Sequence, residues 1–174
     1  SLYQMMPVGV LSPKTEVDTT AAIDIPGEKG VSLLARGGGT SQGGQTVNEA
    51  LVLDNTTYFN DIIEIDVEGQ RCVVRPGIVL DDLNRALKPH GLWFPVDVST
   101  ASRATIGGMA GNNSCGGKSL RYGMMRDNVL SIDAFLADGS QHHFGPIADA
   151  TSPQLQPLID DLLRLGVREA AEIE

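Results

Sequence analysis

Between two apolar runs, Val31–Ala35 and Leu51–Leu53, the chain reads RGGGTSQGGQ from Arg36 to Gln45. A β-type run that breaks into consecutive glycines marks a place where bare backbone must lie close to something. Gly37, Gly38 and Gly39, then Thr40, Ser41 and Gln42, then Gly43 and Gly44 put unshielded N–H groups and hydroxyls on one tight loop. Such a loop suits an anion, most often a phosphate, because successive N–H groups can converge there. The plainer reading is a flexible glycine turn. Two familiar phosphate templates fail. Gln42 stands where the dinucleotide fingerprint needs its third glycine, and Gln45 follows Gly44 where a P-loop needs Lys. Gly117-Lys118-Ser119 imitates a P-loop ending, but its leading position is Asn112. A nucleotide triphosphatase is a poor reading.

The 174 residues suffice for one ordinary domain with a real core, and 41% hydrophobic with 20% charged residues is a soluble globular composition. A net charge of −9 argues against nucleic acid or an anionic membrane as main partner. A bound phosphate would rely chiefly on backbone N–H groups. No apolar run reaches the roughly 18–20 residues of a membrane span, and no signal sequence opens the chain. Two cysteines make no disulfide framework, so a reducing compartment is expected. Cys72, in a strand-like run, reads as a buried thiol; Cys115 lies among glycines with no base beside it. His90, His142 and His143 lack metal-ligand spacing, and the last two point to opposite faces of a strand. The chain starts at Ser1 without a Met and stops at Glu174, where a second helical pattern has just begun at Val167. A piece of a longer protein is expected.

In order, Val8–Leu11 reads as a strand. Thr15 or Asp18 caps a helix through about Lys29, its regular part cut short by Pro26. Val31–Arg36 follows as a strand, giving β-α-β with a parallel pair. Ala50–Asp54 is a buried strand, and Ile62–Val67 with Arg71–Arg75 forms a hairpin. Leu80–Leu87 carries apolar residues at helical spacing, with Gly91 as its stop and Trp93-Phe94-Pro95 as a core corner. The stretch Pro95–Val129 is small, polar and glycine-rich. Ile106, Met109, Leu120, Tyr122 and Met124 are its expected anchors, and a short helix in Ala104–Gly111 would offer N–H groups to a second phosphate. Val129–Ala137 and Gln141–Phe144 form a hairpin. Pro153–Leu165 is an amphipathic helix with Leu155, Leu158, Ile159, Leu162 and Leu163 inward.

Four segments then carry a resemblance: SPKTEVD, ARGGGTSQGGQ, VVRPGIVLDDLNRALKPHGLWFPVD and ATIGGMAGNNSCGGKSLRYGMMRDNVLSIDAFLADG. In this order the chain resembles the FAD-binding domain of the vanillyl-alcohol oxidase / p-cresol methylhydroxylase (PCMH) superfamily. Within it, the chain is most similar to FAD-linked D-2-hydroxyacid dehydrogenases: D-lactate dehydrogenase, the glycolate oxidase flavin subunit and D-2-hydroxyglutarate dehydrogenase. The resemblance implies an α+β fold of two subdomains, 1–90 and 91–174, incomplete at the C-terminus, with FAD extended between them. It implies that Arg36, Gly37, Gly38, Gly39, Thr40, Ser41 and Gln42 wrap the pyrophosphate. Pro95, Asp97 and Ser99 would line the cofactor's path, Thr105, Ile106, Gly107 and Gly108 approach it, and Asn113, Gly116 and Tyr122 lie nearby. Many relatives have glycine at the place of Cys115. The pyrophosphate loop has no His for covalent attachment, so FAD is expected to be dissociable. The family's catalytic residues and any metal ligands belong to a part this sequence lacks; none is assigned here.

The implied activity of the whole protein is oxidation of a small D-2-hydroxyacid by hydride transfer to flavin, with electrons passed to an undetermined acceptor. An iron–sulfur domain in an absent C-terminal region is a suggestive link, and localisation is expected to be cytoplasmic, including a peripheral place at the inner membrane face. The alternative is a non-catalytic flavin- or nucleotide-binding module that acts by association. Two further expectations belong to the residues. Gly38→Val should abolish FAD binding without unfolding the protein. The chain alone should fold yet hold FAD weakly, with Arg36–Gln45 and Ala110–Tyr122 its most mobile parts.

Overall fold

The structure, a computed structural model, describes residues 3–146 and 154–173. It divides the chain into two units, Ser1–Val129 and Leu130–Glu174. In the first, strand β1 (Gly9–Leu11) leads to helix α1 (Glu16–Lys29), then strands β2 (Leu33–Arg36) and β3 (Leu51–Asp54). Thr15 and Asp18 cap α1 together. Asp18 Oδ2 accepts the N–H groups of Lys14 and Thr15, each at 2.9 Å, and the Thr15 hydroxyl accepts that of Asp18 at 3.2 Å. Pro26 does not cut the helix short. It removes one N–H donor from the helix ladder, yet α1 continues to Lys29 before Gly30 turns out at φ +66°.

The sheet is parallel, in the order β1-β3-β2. β1 and β2 are therefore not the neighbours that the β-α-β reading implied. Val52 and Leu53 are 5% and 4% exposed, whereas Val10 of β1 is 63% exposed. A strand buried on both faces belongs in the middle, and strands with an exposed face suit the edges. Strands β4 (Ile62–Asp66) and β5 (Arg71–Val74) form the expected antiparallel hairpin. Asp66 clamps its turn, accepting the Gly69 N–H at 2.8 Å and Arg71 Nε at 2.9 Å. The Gly69 N–H, then the Arg71 guanidinium, hold the Asp66 carboxyl below its ordinary range.

Helix α2 (Leu80–Leu87) buries Leu80, Leu83 and Leu87, passes through a 3₁₀ turn at Lys88–His90 and stops at Gly91, φ +70°. Ile78, Leu83 and Leu87 pack with Ile62, Ile65, Cys72 and Val74 of the hairpin. Leu80 packs instead with Val96, Ala104, Met109 and Met125. The aromatic corner splits. Asn84 Oδ1 takes the Phe94 N–H at 2.7 Å, and Phe94 touches both clusters, while Trp93 is 42% exposed. Neighbours on extended backbone face opposite ways, so only one of the two rings can enter the core.

Helices α3 (Ile106–Gly111), α4 (Ser119–Tyr122) and α5 (Met125–Asn128) order the long polar stretch. It buries Val96, Ala104, Met109 and Met125; of the other expected anchors Ile106 and Met124 are half-buried, while Tyr122 is exposed and Leu120 fully so.

In the second unit, strands β6 (Ile132–Phe135) and β7 (Gln141–Phe144) pair antiparallel, with Ile132 opposite Phe144. Helix α6 (Gln156–Arg168) and short α7 (Ala170–Ile173) follow. Pro153 lies outside the described residues. Leu155 is buried as expected, but Leu158, Leu162 and Leu163 are 44%, 57% and 57% exposed. A unit this small has too little surface of its own to cover the whole stripe.

Candidate functional site

Arg36 ends β2 and Asp54 ends β3, opposite each other in register. A cleft of about 290 Å³ runs from Pro7, ahead of β1, past the paired Val10 and Val52 to these carboxyl ends, where Arg36, Gly37, Gly38, Asp54 and Thr56 line it. In open parallel sheets this is where ligands characteristically sit. The sequence folds this way because β2 runs straight into glycine. Gly39 turns at φ +65°, and the Arg36 guanidinium lies so close to it that a Cβ there would collide. Arg36 Nη1 also reaches the Thr46 carbonyl at 3.5 Å. Across the cleft, Asp54 Oδ1 accepts the Thr56 N–H at 2.8 Å and its hydroxyl at 2.7 Å.

The two glycine-rich stretches meet at this cleft. A Cβ on Gly37 would overlap Thr105 Oγ1, and one on Gly38 would overlap the Arg103 carbonyl oxygen. Gly107 likewise has no room for a side chain beside Pro76, nor Gly77 beside the carbonyls of Asn55 and Phe59. These glycines permit backbone to lie on backbone. Helix α3 begins at this junction, capped by Thr105, but it does not offer its first turn to a second phosphate. The Ile106 N–H goes to Ile78 O at 2.9 Å, Gly107 to Pro76 O at 2.8 Å, and Gly108 to Thr105 Oγ1 at 3.3 Å. Those three donors are already spent within the protein.

A second pair meets farther along. Gly116 sits where a Cβ would strike Asp97, and Asp97 Oδ1 accepts the Lys118 N–H at 2.8 Å. Asn113 takes φ +43° at the end of α3 and its Oδ1 accepts the Arg126 N–H at 3.0 Å. Both polar side chains thus shape the loop. Pro95 and Asp97 are half-buried and flank fully buried Val96, Ser99 is exposed, Thr40 and Ser41 are half-buried, and Gln42 is exposed. Tyr122 lies elsewhere, in a separate cleft of about 470 Å³ with Trp93, Gly117, Lys118, Leu120 and Arg121. Its ring meets Trp93 edge-on at 5.2 Å between centroids, and Lys118 Nζ stands 4.6 Å from the Trp93 ring centre.

Sequence reasoning missed Arg103, Pro76 and Gly77 as parts of this junction. The Pro76-Gly77 pair was legible only as a strand breaker, and Arg103 contributes a carbonyl that any residue type would supply. Burial pushes the Cys72 thiol up, and Cys115 is exposed. Among the described residues no group of three or more His, Cys, Asp and Glu could hold a metal ion, and no helix is long and apolar enough to cross a membrane.

The chain is 40% identical over 157 residues to D-2-hydroxyglutarate dehydrogenase of Pseudomonas putida, covering 88% of this chain and 16% of that protein. It is 39% identical to D-2-hydroxyglutarate dehydrogenase of Haemophilus influenzae, over 99% of this chain and again 16% of the relative. It is 36% identical to glycolate oxidase subunit GlcD of Bacillus subtilis, over 79% and 29%. The chain thus spans less than a third of the length of these relatives. Among solved structures, 6-hydroxy-D-nicotine oxidase from Arthrobacter nicotinovorans superposes with a TM-score of 0.70 at 23% identity, over 78% of this chain and 29% of that one. A BBE-like 1 variant from Physcomitrella patens gives 0.68 at 23%, over 82% and 30%. These likenesses show the α+β, PCMH-type fold. Residues 7–145 match the family described as FAD binding domain, and to that family the chain belongs.

Proposed function

We propose that this chain forms the diphosphate-holding part of a flavoprotein dehydrogenase that oxidises a D-2-hydroxyacid of the D-lactate, glycolate or D-2-hydroxyglutarate class. The carrying observation is the cleft at the carboxyl ends of β2 and β3, with Arg36 and Gly37–Gly38 on its wall. Bare glycine backbone beside a guanidinium fits a diphosphate, in a chain whose net charge of −9 leaves few other cations for the task. FAD, when bound, supplies the hydride acceptor, while the protein supplies placement and electrostatics.

In this reading Arg36 to Gln42 wrap the diphosphate. Pro95, Asp97 and Ser99 line the path of the cofactor, the Thr105–Gly108 segment approaches its pyrophosphate and flavin end from behind the glycine loop, and Asn113 and Gly116 lie nearby, with Tyr122 in the neighbouring cleft beside Trp93. Residues 1–90 and 91–174 then form the two sides of the cofactor site. Arg36–Gln45 contains no His, Cys or Tyr, which supports dissociable FAD. The substrate-activating residues, the electron acceptor and any iron–sulfur centre belong to the rest of the full-length protein, and the working place is the cytoplasm or the inner membrane face.

The test is the purified full-length protein. It should be yellow, release FAD into the supernatant on acid precipitation, and reduce a dye with at least one acid from a D-2-hydroxyacid panel. Bound FAD with no turnover on any acid would replace this reading with the non-catalytic flavin module. Absence of bound flavin, with no uptake of added FAD, would overturn the cofactor assignment itself.

A further inference from the structure

We propose that Thr105 is a positioning residue that sets where the Gly37–Gly38 backbone stands, and through it the affinity for the diphosphate; the inference rests on the FAD reading above. Thr105 is 1% exposed, the one buried polar residue among the described residues. A helix cap does not need such burial, and a hydroxyl removed from water is costly unless something uses it. Its Oγ1 accepts the Gly108 N–H at 3.3 Å, a long bond for so buried a group. The same oxygen occupies the space a Gly37 side chain would need. Capping accounts for the first contact; only a joint between the two stretches accounts for both.

The backbone of Thr105 is tied to the core beneath it. It bridges antiparallel to Val79, the Leu80 N–H goes to Ala104 O at 3.0 Å, and the Ile106 N–H goes to Ile78 O at 2.9 Å. Ile78 and Leu80 are 4% and 1% exposed. Thr105 thus carries the position of a rigid core outward to Gly37, and the adjacent Arg103 carbonyl does the same for Gly38. A loop that would otherwise be ordered by its ligand is held before the ligand arrives. Preorganisation of this kind strengthens binding without any contact between the side chain and the ligand.

The experiment measures dissociation constants for FAD and for ADP, which carries the diphosphate without the flavin, in the full-length protein well below its melting temperature. Thr105→Ser keeps the oxygen and should bind both ligands as the parent does. Thr105→Val keeps the shape and should weaken both by about tenfold, the effect of one misplaced charge-assisted bond. Gly37→Ala should weaken both at least as much. Because Thr105→Ala removes the overlapping oxygen, the pair Gly37→Ala with Thr105→Ala should lose less than the product of the two single losses. Parent-like binding by Thr105→Val, a Thr105→Ser loss as large as that of Val, or strictly multiplicative losses would each overturn the inference while leaving the FAD reading intact. A parent protein that binds neither ligand would overturn both. If Thr105→Val fails to fold by circular dichroism, the Gly37→Ala pair decides.

Discussion

At Gly38 the protein's own backbone demands the missing side chain, because a Cβ would run into the Arg103 carbonyl. Sequence reasoning assigns that bareness to a ligand alone, and so expects Gly38→Val to lose FAD from an intact fold. The left-handed conformation in this loop belongs to Gly39, not to Gly38. Gly38→Ala should therefore destabilise the flavin-free protein by about 1–3 kcal/mol of overpacking, seen as a lower melting temperature, and Gly38→Val by more. Thermal unfolding followed by circular dichroism checks this. An unchanged melting point with weakened FAD binding would return the glycine to a purely ligand-facing role. Arg36 and the three glycines after it were legible as a candidate site because arginine and glycine are conspicuous. The surface they pack against was not, because a carbonyl oxygen leaves no mark in a sequence.

The elements of the first unit followed their local signals closely. Thr15-x-x-Asp18 announces α1, the apolar spacing of Leu80, Leu83 and Leu87 announces α2, and the alternation of Ile62–Asp66 announces β4. Which strands pair was not legible, since β1 and β2 carry nothing that distinguishes a direct partner from one across an intervening strand. Burial of α6 failed for a related reason. Periodicity says which side of a helix is apolar but not whether anything covers it. The α1 cap makes a prediction of its own. The Lys14 N–H, then the Thr15 N–H and side chain, hold the Asp18 carboxyl below its ordinary value of 3.8. The folded value is depressed, so the stabilisation is fully present above 3.8 and is lost as pH falls through the lowered folded value. Asp18→Asn should narrow the stability gap between neutral and strongly acid solution, measured by denaturant unfolding at both pH values. Thr15→Ala should cost about 1 kcal/mol at neutral pH; an unchanged midpoint would mean the cap is idle.

On the scale of the whole molecule, the chain covers 16% of its D-2-hydroxyglutarate dehydrogenase relatives. A dinucleotide needs most of its surface enclosed for tight binding. The 174-residue chain alone should thus purify folded and colourless and take up FAD only weakly in a titration. A yellow preparation with stoichiometric flavin after desalting would show that these residues enclose the cofactor by themselves. The order β1-β3-β2 has a further consequence, in time rather than in space. The middle strand is the last of the three to leave the ribosome, so β1 and β2 emerge with no partner and cannot serve each other. Sheet formation must wait until Leu51–Asp54 has been made and can slot between them. Everything from Gly37 to Ala50 has then already been translated, and its pliancy lets the late strand turn back into place. Translation that pauses before Leu51 would leave two apolar edges bare, which makes that interval the moment when a nascent chain most needs a chaperone.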